Sequence, residues 1–168
     1  PWVDPSALQI PTDCFERREL SEPLEVSKRV DLAISLEVAE HLPAAVAPTF
    51  VANLVALSDL VLFSAAVPGQ GGTHHVNERW PSYWRALFGL HGYQLVDLFR
   101  PTFWAEGRIP YWYRQNTFVY VRRERLAAMP KLRALAERES MPLDVVHPDL
   151  YAEKSWLGVR RALGRLRG

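Results

Sequence analysis

The chain has 168 residues, the length of one ordinary domain, and 48% of them are hydrophobic. Six Trp, six Tyr and seven Phe can fill a sizeable core, so the composition indicates a globular protein and argues against disorder. The formal net charge of +1 gives no overall electrostatic case for a nucleic-acid partner. The single cysteine, Cys14, excludes an intramolecular disulfide framework and a paired-cysteine zinc site.

The sequence has no apolar stretch of transmembrane length and no signal-peptide pattern at its start. We therefore expect a cytoplasmic protein without stable membrane insertion. The chain opens on a loop-like, proline-rich stretch, PWVDP, which indicates a piece of a longer protein.

The first half of the chain alternates strands and helices. Residues 30–36 are a short apolar run typical of a buried strand, and 44–57 follow with apolar residues at helical spacing. Residues 59–67 predict a second strand, and 81–90 predict a second helix with Pro81 in its first turn. This repeated order predicts an α/β protein with a mostly parallel sheet.

The second half predicts two consecutive strands and a helical tail. The strands are expected at 93–99 and 114–122, separated by an aromatic loop and closing the sheet as an antiparallel pair. Residues 124–139 and 151–167 predict two helices. We accordingly divide the chain into a sheet domain, 1–123, and a helical, basic extension, 124–168.

Two strand ends carry side chains that can bind a metal or move a proton. The first is followed by SLEVAEHL, and a helix starting near Leu36 would place Glu37, Glu40 and His41 on one face. The alternative is structural, since acidic residues in a first turn stabilise the helix dipole and a histidine there can simply hydrogen-bond a neighbour.

The second strand ends in the loop PGQGGTHHVNER, whose histidines could complete a metal site. Carboxyl ends of adjacent parallel strands meet at one edge, so His75 or His74 could lie beside the first segment. Two carboxylates and two imidazoles suit Mg, Mn, Fe or Zn. The glycines lack the spacing of a nucleotide loop and predict a mobile active-site loop with positive φ angles.

Four segments together resemble the later two-thirds of a class I S-adenosylmethionine-dependent methyltransferase, over about residues 1–123. The segments are RRELSEPL (17–24), VDLAISLEVAEHLP (30–43), DLVLFSAAVPGQGG (59–72) and RQNTFVYVRR (114–123). The resemblance implies a Rossmann-like seven-stranded sheet whose last strand is antiparallel, here without its first strands. It also implies S-adenosylmethionine as cofactor, with Glu19 and Leu20 beside the adenine and Ser35 and Leu36 beside the methionine portion.

The EVAEH segment resembles a metal-using subset of that family, the small-RNA 3′-end and ubiquinone-biosynthesis O-methyltransferases. By that resemblance the metal ligands are Glu37, Glu40, His41 and His75, with His74 left open as a substitute for His75. His41 and His75 are also the candidate catalytic bases if no metal is bound, because a neutral imidazole titrates near pH 7.

The expected activity is methyl transfer to a hydroxyl of a small molecule or sugar. Two alternatives stay open: methylation of an RNA 3′-terminal ribose, and a truncated remnant that binds acceptor without catalysis. The family's glycine-rich cofactor loop has no counterpart in the sequence and would precede Pro1, so we expect this chain alone to bind the cofactor weakly and to be inactive.

Aromatic residues are candidates for lining the acceptor pocket: Trp80, Tyr83, Trp84, Trp104, Trp112 and Tyr113. The tail predicts a basic amphipathic helix that docks its apolar face on the domain, or alternatively meets an anionic membrane or RNA. Its basic residues are Lys154, Arg160, Arg161, Arg165 and Arg167.

Overall fold

A computed structural model gives the fold of residues 4–138 and 141–165, without the side chains of residues 5 and 157–165. The strands are β1 (Ala33–Leu36), β2 (Leu60–Ser64), β3 (Tyr93–Val96) and β4 (Phe118–Arg122). The helices are α1 (Ala47–Leu57), α2 (Pro81–Leu90), α3 (Arg100–Phe103), α4 (Tyr111–Asn116), α5 (Arg123–Ala127), α6 (Pro130–Ala136) and α7 (Pro148–Arg165). Short 3-10 turns lie at Pro5–Ala7, Thr12–Cys14, Ala39–His41 and Ala44–Val46. Within the described ranges, no helix combines the length and apolarity needed to cross a membrane.

The four strands form one mixed sheet in the order β1-β2-β4-β3. β1 and β2 are parallel, and β4 lies between β2 and β3, antiparallel to both. Strands β1, β2 and β3 therefore run in the same direction. The predicted α/β class and the antiparallel last strand are confirmed, and the carboxyl ends of β1 and β2 lie side by side.

Helices α1 and α2 cover one face of the sheet. Phe50, Val51 and Leu54 of α1 recur at helical spacing and are buried, as are Trp84 and Phe88 of α2. Phe88 stacks on Tyr120 of the sheet with ring centroids 3.8 Å apart. The predicted bounds of α2 are confirmed, whereas α1 begins after a separate 3-10 turn.

Helices α5 and α6 cover part of the opposite face. Leu126, Met129 and Leu132 pack against Val119 and Val121 of the central antiparallel strand. A single helix is predicted over residues 124–139, but the structure has two. The first ends at Ala127 and the second begins at Pro130, because proline lacks the N–H that would continue a helix. Since both helices pack on the sheet, the division at residue 123 stays a prediction.

The segment between β3 and β4 is helical where an aromatic loop was predicted. Pro101 lies in the first turn of α3 and Pro110 immediately precedes α4, positions that favour helix initiation. α4 extends to Asn116, so the last strand starts at Phe118 and not at residue 114. The two closing strands pair as predicted but are not a simple hairpin.

Buried arginine contacts attach the C-terminal segment to this core. Arg100 is fully buried, donates twice to Asp97, and also donates to the carbonyls of Met141, Pro142 and Leu143. Arg114 of α4 pairs with Asp149 of α7. The first turn of α7 therefore lies against α4. The predicted basic face at Arg160, Arg161, Arg165 and Arg167 lies outside the described side chains.

The amino end of the sheet carries a carboxylate with several cationic partners. Asp59 accepts from Arg122 Nε at 2.6 Å and from Arg29 Nη2 at 2.5 Å, and Arg125 Nε lies 3.9 Å away. The hydrogen bond from Arg122, with help from the nearby positive charges, lowers the pKa of Asp59 below its usual value. Asp59 is thus a paired structural anion.

Candidate metal centre and acceptor cleft

The SLEVAEHL segment does not begin a helix near Leu36, as had been predicted. Glu37 N–H donates to the backbone oxygen and the hydroxyl of Ser64, and Glu37 adopts a left-handed conformation with φ 53°. These bonds continue the β1–β2 pairing past Leu36 and prevent a helical turn there. A short 3-10 turn at Ala39–His41 follows and carries Glu40 and His41.

Three of the four predicted metal ligands converge at the carboxyl ends of β1 and β2. Glu40, His41 and His75 each offer one ligand atom, and these atoms lie within 4.8 Å of one another. The two imidazole rings meet edge to face, with centroids 4.8 Å apart. Glu37 is not in this cluster, and His74, the alternative to His75, is exposed and also outside it. We call Glu40, His41 and His75 the triad.

Glu40 is the least solvated member of the triad. It is 0% exposed, and neither carboxylate oxygen has a hydrogen-bond partner among the residues that the structure describes. Burial raises the pKa of Glu40 to about 7 and the negative charge of Glu37 adds to the rise, while the nearby backbone N–H groups of Glu40 and Ala66 partly offset it. Burying a carboxylate without a hydrogen-bonding or ionic partner costs free energy, and a cation bound at this point would offset that cost.

Backbone hydrogen bonds fix the two halves of the triad relative to each other. The carbonyl oxygen of Glu40 accepts from Val76 N at 2.9 Å and from Asn77 N at 3.0 Å. These amides directly follow His75. The loop that carries His75 is therefore hydrogen-bonded to Glu40, the residue that supplies the buried carboxylate.

Glu37 is held by side-chain amides. Its Oε2 accepts from Gln70 Nε2 at 2.9 Å, and its Oε1 accepts from Asn116 Nδ2 at 3.3 Å. Asn116 also donates to Gln70 Oε1 at 2.9 Å, and its own oxygen accepts from Gln115. Glu37 thus lies next to the triad as an oriented anion connected to the end of α4.

The glycine turn binds a side chain from its own loop. Gly69 and Gly71 have φ angles of 84° and 68°, as the sequence predicted. Their N–H groups donate to Glu78, at 2.8 Å from Gly69 and 2.6 Å from Gly71. Because a carboxylate already occupies these donors, the turn does not have the free amides of a phosphate-binding loop.

The triad opens into a cleft of about 380 Å³. The lining residues are Glu37, Glu40, His41, Gln70, Gly71, Gly72, His75, Tyr111, Trp112, Glu153 and Lys154. Tyr111 donates to Glu153 at 3.0 Å, and burial, then this hydrogen bond, raises its pKa to about 12. The phenol therefore stays protonated, and the cleft has an aromatic wall from α4 and a charged rim from α7.

Only one of the six predicted acceptor aromatics lines this cleft. That residue is Trp112; its neighbour Tyr111, which was not among the six, also lines the cleft. Trp84 is instead buried in the core, and Trp104 packs against His147. Trp84 is used for core packing because helix α2 must cover the sheet, which is a tertiary requirement.

The predicted cofactor residues lie outside the cleft. Glu19 and Leu20 are exposed, and Glu19 accepts hydrogen bonds from the neighbouring Ser21. Ser35 is buried, its hydroxyl without a partner among the described residues, and Leu36 is half-buried. The four residues are not brought into one pocket with the triad, and their cofactor role stays a prediction.

Sequence reasoning missed six residues of this site. Gln70, Glu78, Tyr111, Asn116, Glu153 and Lys154 all contact or line it. Glu78 follows His75 by three residues, a spacing that could have identified it. The two cleft residues of α7 gave no local signal, because only the docking of that helix brings them near the triad.

Comparisons of the chain with protein-family models, with curated proteins and with solved structures find no match.

Proposed function

We propose that the chain is the acceptor-binding part of an S-adenosylmethionine-dependent methyltransferase that directs a hydroxyl of a small molecule or sugar with a divalent cation. The observation that carries this proposal is the buried, unpartnered carboxylate of Glu40 beside two imidazoles. A carboxylate in that state is stabilised by a cation, and a triad of this kind has the donor types that divalent ions prefer.

One oxygen and two nitrogen donors suit Zn, Fe or Mn, and suit Mg less because of the imidazoles. Glu40, His41 and His75 would hold the ion, and Glu37 would add negative charge beside it. A divalent ion bound there would lower the pKa of an acceptor hydroxyl and fix its direction. The residues already converge without rearrangement of the backbone, which supports a preformed site.

The cleft supports a small acceptor over an RNA end. Its volume of about 380 Å³ is in the range of a pocket for one ring-sized group. Trp112 and Tyr111 can stack on a flat ring or the apolar face of a sugar. Lys154 is the only lysine or arginine among the residues that line the described cleft, whereas an RNA site needs several phosphate contacts.

Sheet topology supports the methyltransferase part of the proposal. The last strand is antiparallel to both neighbours, as the resemblance implies. β1 is an edge strand with Ile34 59% exposed, although parallel strands of α/β proteins are usually covered on both faces. This edge is where the family's cofactor-binding strands would pair.

A non-catalytic acceptor-binding domain is the second candidate. One observation favours it: none of the four residues predicted to contact the cofactor lines the described cleft. In that case the triad would hold a cation and an acceptor, and no methyl group would be transferred.

Metal and cofactor titrations on the purified chain separate these candidates. We expect Co²⁺ to give visible absorption bands of a nitrogen- and oxygen-ligated ion, lost on adding chelator and in His75→Ala. Labelled S-adenosylmethionine would then be tested with phenol, sugar and RNA acceptors, on the chain alone and on any longer form. Absence of Co²⁺ binding contradicts the metal centre, and metal binding without methyl transfer in any form favours the second candidate.

A further inference from the structure

Glu78 contacts both the glycine turn and the outer nitrogen of His75. Its Oε1 lies 3.0 Å from His75 Nδ1 and accepts from Gly71 N at 2.6 Å, while its Oε2 accepts from Gly69 N at 2.8 Å. The carboxylate is mostly buried, with 20% of the side chain exposed. Two backbone donors and one imidazole nitrogen therefore converge on this carboxylate and fix its position.

This arrangement determines which nitrogen of His75 carries the proton. An ionised carboxylate only accepts hydrogen bonds, so His75 Nδ1 must donate to Glu78. In the neutral ring the lone pair then lies on Nε2. That atom is on the Glu40 side of the ring, 4.0 Å from Glu40 Oε1.

Gly72 leaves the space that Nε2 occupies. A Cβ added at Gly72 would lie 2.3 Å from His75 Nε2 and 2.5 Å from Cε1, distances at which one group must move. Gly72 has no positive φ angle, so its lack of a side chain serves this close approach and not an unusual backbone conformation. The Glu78 carboxylate thus orients the imidazole from one side, and the absence of a side chain at Gly72 leaves room for it on the other.

We propose that Glu78 is a positioning residue that fixes His75 as the Nδ1–H tautomer and leaves Nε2 free to bind a divalent cation, with Gly72 providing the room. The inference rests on the proposed metal centre and deepens it. A histidine that ligates a metal commonly donates its other N–H to a carboxylate, which orients the ring and makes it a better ligand. Here that carboxylate is also the one around which the glycine turn folds.

Nitrogen NMR of the metal-free chain tests the tautomer. With ¹⁵N-labelled histidine, we expect the wild-type His75 signals to show a protonated Nδ1 and an unprotonated Nε2. Glu78→Ala should shift His75 toward the Nε2–H form. Glu78→Gln keeps an oxygen that can accept from Nδ1, so it should restore most of the wild-type pattern even though one contact to the turn is lost.

Zn²⁺ affinity, measured by competition with a chelating dye, tests the consequence for the metal. Glu78→Ala should weaken binding by about 10–100-fold. Gly72→Ala should weaken it at least as much, because the added Cβ would push the His75 ring out of its position. Gly107→Ala is the matched control, since no atom lies within 4 Å of the added Cβ, and it should change neither reading.

Two results would overturn the proposal: an Nε2–H tautomer in the wild type, or a Glu78→Ala variant that keeps both the tautomer and the Zn²⁺ affinity. A folded Glu78→Ala variant, verified by its amide spectrum, that loses both supports it. Failure of the proposed function gives a different result. A wild-type chain whose His75 is the Nδ1–H tautomer but which binds no Zn²⁺ would contradict the metal centre and would still support the role of Glu78 in fixing the tautomer.

Discussion

The two ends of the sheet each hold a carboxylate, in opposite electrostatic environments. At the amino end, Asp59 is contacted by Arg29, Arg122 and Arg125, and its pKa is lowered. At the carboxyl end, Glu40 is fully buried, has no hydrogen-bond partner for either oxygen within the described residues, and has a raised pKa. Asp59 gains stability from partners in its own chain, whereas the oxygens of Glu40 have no such partner among the residues that the structure describes, and we propose that a cation takes that place. We call Asp59 the structural anion and Glu40 the proposed binding anion.

The largest effect is expected when the binding anion is neutralised. Glu40→Gln keeps the shape of the side chain but removes the charge that attracts the cation. We expect Zn²⁺ affinity to fall by about 1,000-fold, or about 4 kcal/mol, which exceeds the usual cost of losing an outer partner of a ligand. Glu124→Gln, an exposed position in α5, is the control and should leave the affinity unchanged. A loss of under about threefold in Glu40→Gln would show that Glu40 is not a ligand.

The pH dependence of stability should separate Glu40 from its amide variant without metal. The ordinary pKa of 4.5 rises to about 7 in the folded chain, so the folded state holds an extra proton between these values. The unfolding free energy of the wild type should fall relative to Glu40→Gln as pH rises from about 4.5 to about 7, by about 3 kcal/mol in total. Above that range the difference should stay constant. Urea denaturation of both proteins at a series of pH values measures it, and parallel curves would contradict the raised pKa.

Glu37 should have an intermediate effect, because two amides already bind its oxygens. Glu37→Gln should weaken Zn²⁺ binding by about 10-fold, through lost charge beside the triad. It should also move the Glu40 transition toward lower pH, since the charge of Glu37 contributes to the raised pKa of Glu40. If Glu37 is itself a ligand, as the sequence predicted, the loss of affinity will match that of Glu40→Gln.

The smallest effect is expected at the structural anion. Asp59→Asn should lower the unfolding free energy by about 1 kcal/mol, because the ion pairs are partly exposed and screened by solvent. The sign with pH is opposite to that of Glu40: the pKa of Asp59 is lowered, so its stabilisation is present near neutral pH and lost as the pH falls below about 4. Zn²⁺ affinity should not change. A change in affinity would contradict the separation of the two ends.

Local patterns in the sequence predicted the parts of the fold that depend on short stretches of chain. Pro81 in the first turn was sufficient to place α2, and the rule that carboxyl ends of parallel strands meet placed His75 near Glu40. The conformation of Glu37 was missed, because its hydrogen bonds to Ser64 depend on strand pairing.

The remaining parts of the site depend on contacts between residues far apart in the sequence. Asn116 reaches Glu37 across 79 positions, and α7, whose Asp149 pairs with Arg114, brings Lys154 to the cleft. Neither contact leaves a periodic pattern in the chain. The predicted assignment of the tail as a separate extension missed its contribution to the cleft for the same reason.

Val76 and Asn77 both donate backbone hydrogen bonds to the Glu40 carbonyl, and these two bonds can be used to measure whether the site is assembled. Both amide protons are protected only while the loop that carries His75 is hydrogen-bonded to the 3-10 turn at Ala39–His41. Their exchange with deuterium therefore measures how often the two segments separate. A cation that binds the triad must slow both exchanges together, and by the same factor, even if the rest of the chain exchanges as before.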